Sequence, residues 1–153
     1  MALKYLKPQS LTGVNGDDSY LKVVNRYGDT TFSVSQIQAL ASYGVDASYT
    51  VNAIKQYILN EIDAGFPVGV AILHNGPTSN PSGGHWMLAV GFDADHIIVH
   101  DPYGEADMVN GGYVRVGPYG KYMKYTWANW LKRWSPEGVG HGYMMTFRNR
   151  QFI

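Results

Sequence analysis

The sequence predicts an α+β fold, with a helical amino-terminal half packed on a carboxy-terminal antiparallel sheet; three observations lead to that prediction. Before residue 65, apolar residues recur at helical spacing in three segments, each followed by glycine. From Phe66 onward they fall into short continuous runs bounded by turn residues. Two of those runs flank Asp93-Ala94-Asp95, which is hairpin chemistry and implies antiparallel pairing.

The first long helix follows Asp18-Ser19, takes in Tyr20, Leu21, Val23, Val24 and Tyr27, and stops at Gly28. The second runs from Ser33 or Ser35 through Ile37, Leu40 and Tyr43 to Gly44. The third spans Thr50 to Ala64: Thr50 caps it, Val51, Ile54, Ile58 and Ile62 recur along one side, and Gly65 supplies a left-handed stop. Pro67 to Leu73 is too short for a helix and predicts a buried strand. His85 to Phe92 and His96 to Val99 predict the two arms of the hairpin. Gly112 to Val116 and Gly142 to Phe147 predict two more strands, with a short helix from Trp127 to Trp134 between them. Trp127, Trp130, Leu131 and Trp134 fall at helical spacing, a core-facing stripe rather than a sugar-stacking platform. Without repeats, low-complexity tracts or charged linkers, residues 1–153 read as one domain.

Composition narrows function. A chain of 153 residues, 45% hydrophobic and 16% charged, buries one core. Twelve basic and twelve acidic residues leave no positive footprint for a phosphate backbone, so nucleic acid is excluded as a partner. No apolar run reaches membrane-spanning length, and Met1-Ala2-Leu3-Lys4 lacks the layout of a secretory signal; the chain reads as soluble, without a membrane partner. There is no cysteine, which rules out disulfides, thiolate metal sites and a cysteine nucleophile within these residues.

The informative stretch is Gly83-Gly84-His85-Trp86-Met87-Leu88-Ala89-Val90-Gly91-Phe92, then His96-Ile97-Ile98-Val99-His100-Asp101-Pro102-Tyr103-Gly104. A hairpin folded about residues 93–95 brings the start of one strand beside the end of the other, so His85 and Asp101 come within a residue or two of being opposite. Whether they share a face depends on the turn: an odd number of turn residues puts both on one side, where a carboxylate can hold an imidazole's orientation and tautomer. Gly83 and Gly84 fit a close approach of substrate backbone, or simply a turn; Trp86 and Tyr103 are the adjoining candidates for substrate contact, and residues 76–82 form a mobile rim. His96 and His100, four apart on one strand, lie roughly 13 Å from each other, too far to share one ion. His74 and His141 read as loop or rim residues; the tyrosines at 103, 113, 119, 122 and 125 are candidates to line the cleft that this rim borders, with most of them expected as half-exposed packing. Ser10, Thr12, Ser19 and Ser82 offer hydroxyls but no nucleophile motif.

Gly84-His85-Trp86 leading an apolar strand to Gly91-Phe92, and a second strand closing on Asp101-Pro102-Tyr103-Gly104, resembles the papain-like peptidases related to the bacteriocin-processing, double-glycine type. Upstream, a helix followed by Ala64-Gly65-Phe66-Pro67-Val68 is similar to that family's entry into its first core strand, and the likeness in layout covers roughly residues 34 to 148. The resemblance implies that His85 is the base and Asp101 its orienting partner, that no metal or organic cofactor is needed, and that the bond cleaved is a peptide or peptidoglycan amide. It also implies a cysteine at a helix amino terminus with an oxyanion-stabilising glutamine before it, and neither is present. Met1 to Leu6 resembles the middle of that helix, so the chain is expected either to be cut short at its amino terminus or to come from a protein that dispenses with catalysis; as it stands it is expected to be inactive. Two non-catalytic roles compete: a pseudo-peptidase that binds peptide or glycan, and an assembly component of a phage or bacterial surface apparatus.

Overall fold

The computed structural model describes residues 1–11 and 16–150 and divides the chain into two compact units, residues 1–49 with 146–153, and residues 50–145. In the smaller unit lie α1 (Ala2–Leu6), α2 (Gly16–Val24) and α3 (Ser33–Ser42). Met1 caps α1 by position only, with no side-chain bond, and Leu3 is buried. The first long helix ends earlier than the sequence predicts: the backbone turns after Val24, and Gly28 N–H closes back on the Val24 carbonyl at 3.2 Å. Tyr20 joins α2 to α3 by donating to Gln36 Oε1 at 2.6 Å, and burial, then the neighbouring Tyr43, pushes its phenol pKa well up. Gly44 adopts the left-handed conformation expected of a helix stop, and its carbonyl accepts from Arg150 N–H at 2.8 Å.

The amino-terminal half is not wholly helical. Between α3 and the next helix runs β1 (Val45–Ala53), and α4 occupies only Lys55–Asp63, so the predicted start at Thr50 is wrong. Thr50 caps nothing; its hydroxyl accepts Asn52 N–H at 3.1 Å, and Val51 is 44% exposed although the helical stripe would bury it. Tyr49, Thr50 and Val51 favour extended backbone at χ1 and φ/ψ, and the true stripe starts after Ile54, with Ile58 buried and Ile62 half-buried.

The remaining elements of the larger unit are β2 (Val68–Asn75), β3 (Ser82–Phe92), β4 (His96–His100), β5 (Gly104–Ala106), β6 (Tyr113–Val116), β7 (Met123–Thr126), α5 (Trp127–Trp134) and β8 (Gly142–Asn149), the last of which leaves this unit after Met145. Its sheet runs β8-β2-β3-β4-β7, antiparallel at each of these pairings, and β5 pairs with β6 in a separate two-stranded sheet. The predicted hairpin, first strand and tryptophan helix are all present; β5 and β7 are additions. Alternation along β2, β3 and β4 delivers Val70, Ile72, Met87, Ala89, Ile97 and Val99 to one face, where α5 adds Trp127, Trp130 and Trp134. That apolar face is the core, and the histidine of interest stands at its end. Among the described residues no helix is long and apolar enough to cross a membrane.

Candidate active site

Strand parity decides whether His85 and Asp101 meet. Phe92 pairs with Ile97 and Gly91 with Ile98, so four residues, 93–96, separate the paired positions. Continued in that register, Asp101 would stand opposite Leu88 and point away from His85. A β-bulge intervenes: beyond it Ala89 pairs with Val99 and Leu88 with His100, leaving Val90 as the extra residue. Extended by one position past Leu88 and His100, that register sets Asp101 against Met87, on the same face as His85. The even turn and the one-residue bulge together do what an odd turn was expected to do.

The two side chains meet at 2.8 Å, His85 Nε2 to Asp101 Oδ1, and both residues are buried, 7% and 5% exposed. An ionised carboxylate accepts only, so Nε2 carries the proton it shares; the neutral ring then holds its free lone pair on Nδ1. Among the described residues Nδ1 makes no hydrogen bond. Asp101 is itself fixed: its N–H donates to the Gly120 carbonyl at 2.7 Å, and Tyr103 N–H donates to Oδ1 at 2.8 Å across the Asp-Pro-Tyr turn. A Cβ on residue 120 would collide with the Asp101 carbonyl, so only glycine permits that approach. A neutral imidazole held in one tautomer, with an open lone pair and a buried anion behind it, can take up a proton and be stabilised as it does so.

Three aromatic side chains wall the imidazole. Tyr103 stacks on it with ring centroids 4.6 Å apart, His74 lies tilted at 5.2 Å, and Tyr113 stands edge-on at 6.1 Å. His74 donates from Nδ1 to the Gly83 carbonyl at 2.7 Å, which ties down the glycine entering β3. His74 is thus a half-buried strand residue of β2 and not a loop residue. Its placement was readable in principle: Val70, Ile72 and His74 alternate onto the core-side face, and β2 is paired with β3. Tyr113, one of the five tyrosines offered for the cleft, arrives from the separate two-stranded sheet.

Arg133 holds that arrangement together from α5. It is fully buried, and its guanidinium donates to five main-chain carbonyls: Met108 at 2.7 Å, Leu73 at 2.9 Å, Gly76 at 2.8 Å, Val109 at 3.3 Å and Asn75 at 3.5 Å. Burial lowers its pKa and the charge of Asp107 opposes that shift. The two clamped segments also bond directly, Gly112 N–H to the His74 carbonyl at 2.7 Å and Thr78 N–H to that of Val109 at 3.3 Å. Residues 76–82, read from sequence as a mobile rim, are thus anchored at their start.

Of the other residues the sequence singles out, Gly83 and Gly84 lead into His85, and a Cβ on Gly84 would meet nothing within 4 Å, so the space beside it is open. Ser82 opens β3 and is exposed, while Thr12 lies outside the described residues. Trp86 follows His85 along β3 and so projects from the opposite face; the fold does not bring it to the imidazole. His96 pairs with Asp93 at the turn, and His100 Nδ1 accepts from Tyr122 N–H at 3.1 Å. Among the described residues no three His, Asp or Glu side chains converge as a metal site. Tyr119 and Tyr122 are exposed, beneath Arg115 and Lys121 respectively. Tyr125 is buried and its hydroxyl accepts Ala106 N–H at 2.8 Å; burial pushes its pKa up to about 12.

A family model, that of the Peptidase_C39 like family, matches residues 1–139 of the chain. No curated protein and no solved structure matches it.

Proposed function

The chain belongs to the Peptidase_C39 like family, and from that premise we propose that His85 and Asp101 are the base and orienter of a thiol-dependent amide hydrolase, with a peptide or peptidoglycan amide as substrate. The observation that carries the reading is the buried 2.8 Å pair joined through Nε2, which leaves Nδ1 to face a reactant. In the proposed reaction a cysteine thiol gives its proton to Nδ1, and the thiolate sulfur attacks the amide carbonyl carbon. The imidazolium then returns the proton to the leaving nitrogen as the C–N bond breaks. Water, deprotonated by the same ring, releases the acyl group from sulfur. Asp101 stays ionised throughout and stabilises the imidazolium. Tyr103 and Gly84, at the stacked face of the ring and the open side of its strand, are the proposed substrate contacts.

These 153 residues contain no cysteine, so by themselves they carry the proton-transfer pair and not the nucleophile. That same observation favours the second reading, a pseudo-peptidase that binds peptide or glycan against the Tyr103 wall or serves in assembly of a phage or bacterial surface apparatus. Paired hydrolysis separates the two. This chain, and the same chain joined to whatever coding sequence precedes it, are assayed on labelled peptidoglycan and on peptide pools, with His85→Ala as control. Cleavage by a cysteine-bearing longer form alone, abolished by His85→Ala, is the expected result. Failure of both forms to cleave, or cleavage that survives His85→Ala, overturns the enzymatic reading.

A further inference from the structure

Asp101 uses one carboxylate oxygen twice and the other not at all. Oδ1 accepts from His85 Nε2 and Tyr103 N–H, whereas Oδ2 is buried and has no hydrogen-bond partner among the described residues. A buried carboxylate oxygen without a donor is costly, and the fold keeps such atoms only where something answers them. The hydroxyl of Tyr113 is in the same position: buried, with no hydrogen-bond partner among the described residues. Its ring lies edge-on to His85, with Tyr103 and His74 each 6.0 Å away on centroids, inside the wall that encloses the pair. One atom is an acceptor lacking a donor, the other a donor lacking an acceptor, and both belong to residues packed against the His85 ring or bonded to it.

We propose that Tyr113 is a positioning residue of this site, its hydroxyl donating to Asp101 Oδ2 so that the carboxylate cannot rotate and Oδ1 stays on His85 Nε2. The phenol feels Asp101: burial raises its pKa first, and the charge of the carboxylate adds to the rise, so the hydroxyl keeps its proton. The hydroxyl comes from outside the hairpin. Tyr113 sits opposite Ala106 on the β5–β6 pair, Gly112 before it is tied to the His74 carbonyl, and Arg133 grips Met108 and Val109 upstream. The hairpin supplies the pair, and a second sheet locks its acid.

The inference rests on reading His85 and Asp101 as base and orienter, yet its test does not need hydrolysis. The chain is labelled at tyrosine Cζ with carbon-13, the Tyr113 signal is assigned with Tyr113→Phe, and its titration is followed by NMR in the unsubstituted chain and in Asp101→Asn. Loss of the charged acceptor is expected to lower the Tyr113 midpoint by about one pH unit or more, a tenfold change in ionisation. An unmoved midpoint means burial alone acts on the phenol, and overturns the proposal. Because Asp101→Asn also strips His85 of its partner, the unsubstituted chain gives a second reading in mixed H2O and D2O. A bonded hydroxyl proton exchanges slowly and splits the Cζ signal in two; a single averaged signal shows a hydroxyl open to solvent and equally overturns it. In a cysteine-bearing active form, Tyr113→Phe is expected to lower kcat about tenfold with KM within about twofold. Absent hydrolysis with the Tyr113–Asp101 coupling intact defeats the enzymatic reading and leaves this one; hydrolysis with the coupling missing does the reverse.

Discussion

Two histidine–aspartate pairs stand at opposite ends of the β3–β4 hairpin, each with an imidazole nitrogen 2.8 Å from a carboxylate oxygen. Between His85 and Asp101 the side chains are 6% and 0% exposed; between His96 and Asp93 they are 35% and 41% exposed. The exposed pair is turn hardware. Asp93 also accepts Asp95 N–H, His96 N–H and the Lys124 ammonium; the His96 bond foremost holds its pKa far below the usual carboxylate range. Water and salt screen that end, and a proton gained or lost there has little to act on. At the other end the imidazole has one partner, an aromatic wall and an open nitrogen in a low-dielectric setting, where the same 2.8 Å contact controls which nitrogen can react. Equal distances therefore carry different chemistry, and burial makes the difference.

The largest expected effect breaks or upholds that contrast directly. In a cysteine-bearing active form, Asp101→Asn is expected to lower kcat/KM by about 10³–10⁴-fold through the wrong tautomer, while Asp93→Asn stays within about twofold. Steady-state kinetics on a cleaved peptide decide it, and equal losses would erase the distinction between the ends. Next in size is the scaffold that only the buried end possesses. Arg133→Met removes the guanidinium's hydrogen bonds to five main-chain carbonyls and is expected to cost about 3–5 kcal/mol in urea unfolding, against no more than about 0.5 kcal/mol for the exposed neighbour Lys132→Met. A loss from Arg133→Met no larger than that from Lys132→Met would mean the clasp holds nothing.

Acid sharpens the comparison further, since each end has its own window. Partial burial, then the charge of Lys121, holds the His100 pKa below the ordinary histidine value, and its Nδ1 must be unprotonated to accept Tyr122 N–H. A pKa lower in the folded chain than in the unfolded one gives stability that is full above about pH 6.5 and declines as the pH falls below it. Asp93, also lowered, keeps its contribution until the pH drops beneath about 3.9. Urea unfolding across pH should show a first decline that shrinks in His100→Gln and a later one, shared with Asp29 and Asp107, that shrinks in Asp93→Asn. Persistence of the full first decline in His100→Gln would remove the Tyr122 contact from the account. The smallest effect is at the turn, where His96→Gln should move Tm by less than about 2 °C; a larger shift would show the exposed pair to be structural in earnest.

The hairpin, the tryptophan helix and the position of α3 were legible because each is written in local periodicity and closed by its own turn residues. The start of α4 was not, because Val51 and Ile54 mimic a helical stripe while residues 49–51 favour a strand, and only the sheet decides between them. His85 and Asp101 were legible as residue types flanking one hairpin. His74 was read as a loop or rim residue and Tyr113 as one of five tyrosines for the cleft or for packing, and Arg133 escaped notice, since one arginine on a helix carries no local mark of its partners.

By itself the sequence determined an α+β chain without a thiol, and a hairpin with an imidazole at one strand's start and a carboxylate at the next strand's end. Local order suffices for that, since turn chemistry and side-chain period act over a few residues. Tertiary structure alone decided that the two groups share a face, because one extra residue at Val90 reverses the parity of everything beyond it. It also decided what surrounds them, since Arg133 reaches a carbonyl 60 residues away and Tyr113 comes from another sheet. Contacts at such separations depend on the whole chain being closed, and no short window of sequence contains them.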